Sequence, residues 1–284
     1  MNDVAEVWHN GRMVAYDQLR LSAFDLGLAN GLGVFETMVA YDGNAVMFRE
    51  HYRRLSNAVL QMKLKVPSAD KLGAAIQETL CANGLQDQRG RVRITVLTGD
   101  RPLGAKNYSR FVDDHVIVSA TEQQAPKASA KLVLSGAVVN ERSATAGIKC
   151  TSYADNVLAY RQAMKDGADE AVMLNTRGQL CECSMSNIFL VSDGELHTPS
   201  LASGCLLGVT RGEVIRLAMN SGIQVHEREL TENELSQADE IFITSSAREV
   251  QPASLLGSEA QLPGSVSKQM RKLYREMIAT EIMP

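Results

Sequence analysis

The spacing of hydrophobic and polar positions changes repeatedly along the chain, which predicts interspersed helices and strands. Residues 7–14 place Asn10-Gly11 between apolar residues, a pattern typical of a β-hairpin. Apolar residues at helical spacing predict helices over residues 48–62 and 68–82, the second capped by Ser68. Strands are predicted over residues 34–39, 91–97 and 115–120.

A polar stretch at residues 121–127 contains Pro126 and is the best candidate for a linker. Thr231 and Glu234, further on, have the spacing of a capping box that opens a helix. Other patterns predict strands near residues 132–134, 170–174, 187–191 and 240–244, and helices over residues 153–165, 211–220 and 266–279. We therefore expect mixed α/β structure in two domains, residues 1–120 and 128–284, joined by residues 121–127.

The composition is that of an ordinary globular protein, with 45% hydrophobic and 22% charged residues in a chain of 284. The net charge is −4, so we expect neither nucleic acid nor an acidic membrane as a partner, since both need a concentrated basic face. The arginines at positions 49, 53 and 54 still suit one small anionic ligand. No apolar stretch approaches the length of a membrane span.

The cysteines and the N-terminus indicate the compartment. The chain has 5 cysteines, an odd number, and its first residues lack the pattern of a secretory signal. Cys181 and Cys183 are too close together, with too few further His or Cys residues nearby, to indicate a zinc site, so no metal is predicted. Free thiols in a reducing cytoplasm are the simplest interpretation.

Three features of the second half suggest chemistry, although each has an ordinary structural interpretation. Lys149 stands between small and apolar residues; most lysines are solvated, but a partly desolvated amine becomes a nucleophile suited to Schiff-base formation. Glu182 precedes an apolar strand and by itself is interpreted as an exposed strand residue. Gly208 and Thr210 open a helix, which is either simply capped or turns its first amides towards a phosphate.

The order and spacing of these residues resemble the class IV aminotransferases, the fold-type-IV enzymes that use pyridoxal 5′-phosphate (PLP). The resemblance covers nearly the whole chain and includes Lys149 and Glu182. Its further motifs are Gly33-Val34-Phe35-Glu36, His51-Tyr52-Arg53-Arg54-Leu55, Gly167-Ala168-Asp169-Glu170-Ala171, Ser186-Asn187-Ile188-Phe189, Thr198-Pro199, Leu207-Gly208-Val209-Thr210-Arg211, and Ala238-Asp239-Glu240 before Thr244-Ser245.

The resemblance implies a smaller N-terminal α/β domain and a larger C-terminal PLP-binding domain with a barrel-like sheet, in a homodimer. It implies that Lys149 holds PLP covalently and moves the substrate α-proton. It also implies that Glu182 keeps the pyridine nitrogen protonated, which makes the ring a better electron sink. Arg54 is implied as a phosphate ligand, although it also fits a solvated arginine on a basic helix. Further cofactor contacts are implied at Val209, Thr210, Ser245, Ser246 and Tyr153, the last of which also fits core packing at a helix start.

The substrate is less well defined by the resemblance. Phe35 stands where D-amino-acid members carry tyrosine, and Arg101 and Arg248 are the candidates for binding a substrate carboxylate. The leading hypothesis is a ping-pong aminotransferase that moves an amino group between an amino acid and a 2-oxo acid. Thr37 matches a threonine of aminodeoxychorismate lyases, so a lyase producing 4-aminobenzoate and pyruvate is the alternative. A PLP-binding protein that has lost catalysis is the second alternative.

Overall fold

The computed structural model describes residues 6–99, 114–258 and 264–282. The chain divides into two compact units. The first comprises Met1–Gln124, Ile148–Ser152 and Glu281–Pro284, and the second comprises Ala125–Gly147 and Tyr153–Thr280. The main boundary lies inside the predicted linker. Ile148–Ser152 groups with the first unit, however, whereas the predicted division leaves it within residues 128–284.

The first unit is built on a six-stranded antiparallel sheet in the order β2-β1-β6-β5-β3-β4. The predicted hairpin is confirmed, with Asn10 and Gly11 at φ 47° and 104°, as a two-residue loop requires. The predicted Ser68 cap is confirmed, because its Oγ accepts from Lys71 N at 3.4 Å. The elements are β1 (Glu6–His9), β2 (Arg12–Ala15), α1 (Leu26–Ala29), β3 (Gly33–Tyr41), β4 (Asn44–Ala45), α2 (Phe48–Gln61), α3 (Ala69–Ala82), β5 (Gly90–Leu97) and β6 (His115–Glu122).

Strand alternation gives this sheet two different faces. One face packs against α2 and α3 in a hydrophobic core that includes Val34, Met38, Leu55, Leu72, Val92 and Ile94. The opposite face carries Phe35 and Thr37 of β3, which lie across from Thr95 and Arg93 of β5. The face that the helices leave uncovered therefore carries an aromatic ring, two threonine hydroxyls and a guanidinium group.

The second unit contains an eight-stranded sheet in the order β12-β11-β10-β13-β14-β7-β8-β9. Leu180 N in β9 donates to Leu230 O, just beyond β12, at 2.8 Å, so the two ends of the sheet approach each other. The sheet is therefore curled into a half-barrel, which confirms the predicted barrel-like sheet. Its strands are β7 (Ala130–Val139), β8 (Glu170–Asn175), β9 (Leu180–Cys183), β10 (Asn187–Ser192), β11 (Glu195–Pro199), β12 (Val225–Arg228), β13 (Glu240–Ser245) and β14 (Glu249–Leu255).

The helices of the second unit agree with the sequence patterns to within a few residues. They are α4 (Ala154–Lys165), α5 (Val209–Asn220), α6 (Glu232–Gln237) and α7 (Ser265–Ile282). The capping box of Thr231 and Glu234 is confirmed at the start of α6. The patterns gave no residue range for four strands, namely β9, β11, β12 and β14. Among the described helices, none combines the length and apolarity needed to cross a membrane.

Candidate active site

Lys149 lies in a short extended segment that pairs with the beginning of β3. Phe35 N donates to Lys149 O at 2.8 Å, and Thr151 N donates to Gly33 O at 2.8 Å. Gly33 leaves no room for a larger residue, since a Cβ there would lie 2.7 Å from Leu97 Cδ2 and 2.8 Å from the backbone oxygen of Val96. These backbone hydrogen bonds are the reason that the Lys149 segment belongs to the first unit.

The amine of Lys149 lies over an aromatic ring that is also in contact with a guanidinium group. Lys149 Nζ is 4.5 Å from the Phe35 ring centroid, and Arg93 Cζ is 3.8 Å from the same centroid. Cations are attracted to the negative face of such a ring. Thr37 pairs with Arg93 across the two strands and lies on the same face of the sheet. The first unit therefore brings three predicted residues, Lys149, Phe35 and Thr37, together with Arg93, which was not predicted.

Arg54 on α2 makes a two-pronged contact with a buried carboxylate of β3. Its Nε donates to Glu36 Oε1 and its Nη2 to Glu36 Oε2, both at 2.7 Å, and His51 Nδ1 lies 2.7 Å from the same Oε2. The Glu36 side chain is 1% exposed and that of Arg54 is 13% exposed, whereas Arg53 is exposed. Glu36 therefore fixes the orientation of Arg54, the predicted phosphate ligand, while Arg53 projects to solvent.

The same cluster makes the stability of the first unit depend on pH. Burial alone raises the pKa of Glu36, but the charge and hydrogen bonds of Arg54, with a hydrogen bond from His51, outweigh burial and lower it from 4.5 to about 2. A lowered carboxylate pKa stabilises the folded chain above pH 4.5, and this stabilisation is lost as the pH falls towards 2.

We expect Glu36→Gln to destabilise the chain by about 3 kcal/mol at pH 7, because it removes the charge that compensates Arg54. The difference from wild type should shrink as the pH is lowered from 4.5 towards 2. Thermal unfolding of the cofactor-free protein at several pH values measures this. Glu276→Gln is the control, since its pair with Lys272 on α7 is exposed. A difference that stays constant with pH contradicts the assignment.

Glu182 on β9 lies half-buried between two buried cysteines. Its Oε2 accepts from Leu206 N at 3.0 Å and lies 3.5 Å from Asn187 Nδ2. Burial raises the pKa of both the Cys181 and the Cys183 thiols, so they stay protonated and do not compete as nucleophiles. Glu182 is therefore a strand residue, as expected, but it is half-buried, so the expectation that it is exposed is wrong.

Asn187 connects Glu182 to the start of α5. Its Nδ2 donates to Leu206 O at 2.9 Å, and a Cβ on Gly208 would overlap its Oδ1, so only glycine fits there. Gly208 has no side chain to cap α5, whose first residues are Val209 and Thr210. The Thr210 hydroxyl is buried and lies 3.4 Å from the Tyr274 hydroxyl. An uncapped helix start with an adjacent hydroxyl favours an anion.

The remaining predicted residues of the second unit lie at two turns. Tyr153 is the residue before α4, and its hydroxyl donates to Ser184 O at 3.3 Å. Ser245 ends β13 and is followed by Ser246, both half-buried. Thr244 pairs with Asn187 across β13 and β10, so this turn adjoins the Glu182 group.

Arg248 is engaged by protein acceptors on all its guanidinium nitrogens. Nε lies 3.2 Å from Glu170 Oε2, Nη1 donates to Gln251 Oε1 at 2.9 Å and Nη2 to Asp169 O at 2.7 Å. A substrate carboxylate would have to displace one of these acceptors. Arg101, the other predicted candidate, lies outside the described residues.

Two residues of interest were missed from the sequence. Arg93 could have been found from strand alternation, because Arg91 and Arg93 interrupt an apolar strand at every second position. Glu170 was quoted only as part of a motif. A carboxylate that begins an apolar strand is unusual enough to draw attention, but its partners are distant in sequence.

The comparisons with known proteins agree with this geometry. Residues 33–256 match the family model described as Amino-transferase class IV. The chain belongs to the class IV aminotransferases. It is therefore a PLP-dependent transaminase of mixed α/β, fold-type-IV architecture, as the sequence resemblance predicted.

This aminotransferase is similar to proteins with more than one substrate. It is 30% identical to a putative branched-chain-amino-acid aminotransferase of Methanocaldococcus jannaschii, covering 96% of each chain. It is 29% identical to a D-alanine aminotransferase of Listeria monocytogenes, covering 95% of this chain and 93% of the relative. The crystal structure of the branched-chain aminotransferase of Thermoproteus uzoniensis with norvaline superposes with a TM-score of 0.88 at 29% identity, covering 98% and 95% of the two chains.

The residues present fit PLP. A crystal structure of another branched-chain aminotransferase, with pyridoxamine 5′-phosphate, has a TM-score of 0.87 to this chain at 28% identity, covering 98% and 95%. The aminotransferase offers an amine at Lys149, a carboxylate at Glu182 and an uncapped helix start beside the Thr210 hydroxyl. These are the amine, the acid and the anion donors that the aldehyde, the ring nitrogen and the phosphate of PLP require.

Proposed function

We propose that Lys149 and Glu182 serve one bound PLP in a ping-pong transfer of an amino group from an amino acid to a 2-oxo acid. The observation that carries the proposal is the Lys149 amine, held 4.5 Å from the Phe35 ring centroid with a second cation, Arg93, on the same ring. PLP supplies the electron sink that stabilises the carbanion left when the α-proton departs.

The chain's own residues supply the proton transfers and the positioning. The Lys149 amine would hold the cofactor covalently, and as a general base it would accept and return the substrate α-proton. The Glu182 carboxylate, which accepts a hydrogen bond from Leu206 N, would keep a proton at the pyridine nitrogen. Arg54, oriented by Glu36, would bind the phosphate, as would Val209, Thr210, Ser245 and Ser246.

Arg93 is our candidate for binding the substrate carboxylate. It shares the Phe35 ring with the Lys149 amine, so a carboxylate bound there would bring the neighbouring α-carbon towards that amine. Arg248 is less suited to this role because Glu170, Gln251 and Asp169 already accept its donors. An amino acid bound through its carboxylate could be either the L or the D enantiomer.

A panel of amino donors with 2-oxo acid acceptors, run with wild type and Arg93→Gln, tests this function. We expect wild type to transaminate, and Arg93→Gln to lose at least about 30-fold in kcat/KM, a loss of about 2 kcal/mol. Arg91→Gln is the control, because Arg91 lies on the same strand and is exposed. A 4-aminobenzoate assay runs in parallel. Lyase turnover without amino transfer overturns the proposal.

We also infer that the enzyme is a cytoplasmic homodimer. Residues 16–32 expose several large apolar side chains, and exposed patches of this kind mark protein interfaces; they are Phe24 (81% exposed), Leu28 (61%) and Tyr16 (57%). A second copy of the chain, which carries the same patch, is the partner we propose for it. The 5 free cysteines support a reducing compartment.

We expect sedimentation equilibrium of the wild type to give twice the mass of one chain, and Phe24→Asp to shift the protein towards single chains. A charge at the centre of an apolar interface is desolvated without a partner, which weakens association. Leu60→Asp is the control, since Leu60 is a 77% exposed apolar residue on α2. A wild type that sediments as one chain contradicts the homodimer.

A further inference from the structure

A buried carboxylate at the start of β8 accepts hydrogen bonds from a whole turn of the second unit. Glu170 is 0% exposed. Its Oε1 accepts from the Ser184 hydroxyl and from Met185 N at 3.1 Å, and its Oε2 accepts from the Ser186 hydroxyl at 2.8 Å. One side chain therefore binds every residue of the turn that joins β9 to β10, residues 184–186, which we call the β9–β10 turn.

The same carboxylate reaches a second turn through Arg248. Arg248 lies in residues 246–248, which join β13 to β14 and which we call the β13–β14 turn. Its Nε is 3.2 Å from Glu170 Oε2, and its backbone N donates to the Ser245 hydroxyl at 3.2 Å. Its other nitrogens hold Gln251 and Asp169, so Arg248 fastens the β13–β14 turn to the beginning of β8.

Each turn carries groups assigned to the cofactor. The β9–β10 turn separates Glu182 from Asn187, whose amide lies 3.5 Å from the Glu182 carboxylate. The β13–β14 turn follows Ser245 and contains Ser246, both assigned to the phosphate. A shift of either turn would therefore move the group at the pyridine nitrogen relative to the groups at the phosphate.

We propose that the Glu170–Arg248 pair is a positioning device that holds the β9–β10 turn and the β13–β14 turn in one fixed arrangement for PLP. This inference rests on the proposed roles of Glu182, Ser245 and Ser246. Neither member of the pair needs to touch the cofactor. The pair acts through the two turns, so Arg248 is a positioning residue here and not a substrate ligand.

Charge and burial explain why Glu170 and Arg248 each need the other. Burial raises the pKa of Glu170, while the Arg248 charge and the hydrogen bonds from Ser184, Ser186 and Met185 act in the opposite direction. Removing Arg248 leaves a desolvated carboxylate without its compensating charge, and removing Glu170 leaves the half-buried Arg248 guanidinium with only the neutral acceptors of Gln251 and Asp169 and no compensating charge. Either single change should break the link between the two turns, so a second change should add little.

The test measures PLP affinity of the cofactor-free chain by equilibrium dialysis, alongside its thermal unfolding, for Glu170→Gln, Arg248→Met and the double variant. We expect each single variant to weaken PLP binding about tenfold, and the double variant to match the singles instead of multiplying their losses. Glu276→Gln, which loses only an exposed pair on α7, should bind PLP as wild type does. Affinity within about twofold of wild type in both singles, or losses that multiply, overturns the proposal.

Two further measurements test the positioning role if a variant fails to fold or if the proposed function itself is wrong. If Glu170→Gln does not fold, Ser186→Ala removes one of its donors, and we expect a smaller weakening of PLP binding in the same direction; unchanged affinity in Ser186→Ala overturns the proposal. Borohydride reduction of every folded protein separates this inference from the proposed function. A wild type without an adduct at Lys149 removes the proposed function, whereas an adduct with unchanged affinity in the variants removes only the positioning role.

Discussion

Lys149→Ala should abolish transamination, lowering turnover by roughly 10⁴-fold, because the variant loses both the covalent attachment and the general base. Borohydride reduction in the presence of PLP should leave no adduct at position 149. The backbone pairing of this segment with β3 uses main-chain atoms of Lys149 and Thr151, so the fold of the first unit should persist. Steady-state kinetics and mass spectrometry of the reduced protein make the two measurements.

Lys165→Ala is the matched control for this prediction. Lys165 is exposed in the last turn of α4, so its loss should leave turnover and the adduct at Lys149 unchanged. If Lys149→Ala keeps turnover within about tenfold of wild type, or if the adduct forms at another lysine, the assignment of Lys149 is wrong. Circular dichroism of the variant distinguishes a chemical loss from unfolding.

Glu182→Gln should lower kcat by roughly 10²–10³-fold while PLP still binds. An amide has the size of the carboxylate and can still accept the hydrogen bond from Leu206 N, so the local packing should remain. It lacks the negative charge that favours a proton on the pyridine nitrogen, and preorganised charge of this kind is worth factors of that size in turnover. Turnover at saturating substrate and PLP affinity should be measured together.

Glu195→Gln is the control for Glu182→Gln. Glu195 on β11 is 44% exposed and pairs with His226, so the same chemical change there should leave kcat unchanged. Unchanged kcat in Glu182→Gln contradicts the proposed role. A loss of PLP binding that accounts for the whole effect assigns Glu182 to cofactor retention instead.

Local sequence patterns predicted most of the helices, caps and turns of this protein. The Asn10-Gly11 hairpin, the Ser68 cap and the Thr231 capping box all depend on residues within a few positions of each other, and the structure contains each of them. The sequence patterns gave no range for the short strands β9, β11, β12 and β14, because four to seven residues give little periodicity. Their stability comes from neighbours that are distant along the chain.

Some residues of the candidate site were predicted from the sequence, and others were found only in the structure. Lys149, Glu182 and Thr210 were predicted, because the order and spacing of the motifs can be seen in the sequence. Arg93 became a candidate only because β3 and β5 place it over Phe35 beside Lys149. Glu170 gained a role because three residues of the β9–β10 turn and Arg248 converge on its carboxylate.

The sequence by itself determined the family, the cofactor and the helices and turns with short-range signals. Only the tertiary structure decided that the Lys149 segment adds to β3, that Arg248 is held by Glu170, and that Arg93 meets the Phe35 ring. The reason is physical: caps, turns and amphipathic periods depend on neighbouring residues, whereas strand pairing and buried ion pairs join residues far apart in the chain, whose meeting depends on the packing of the whole unit.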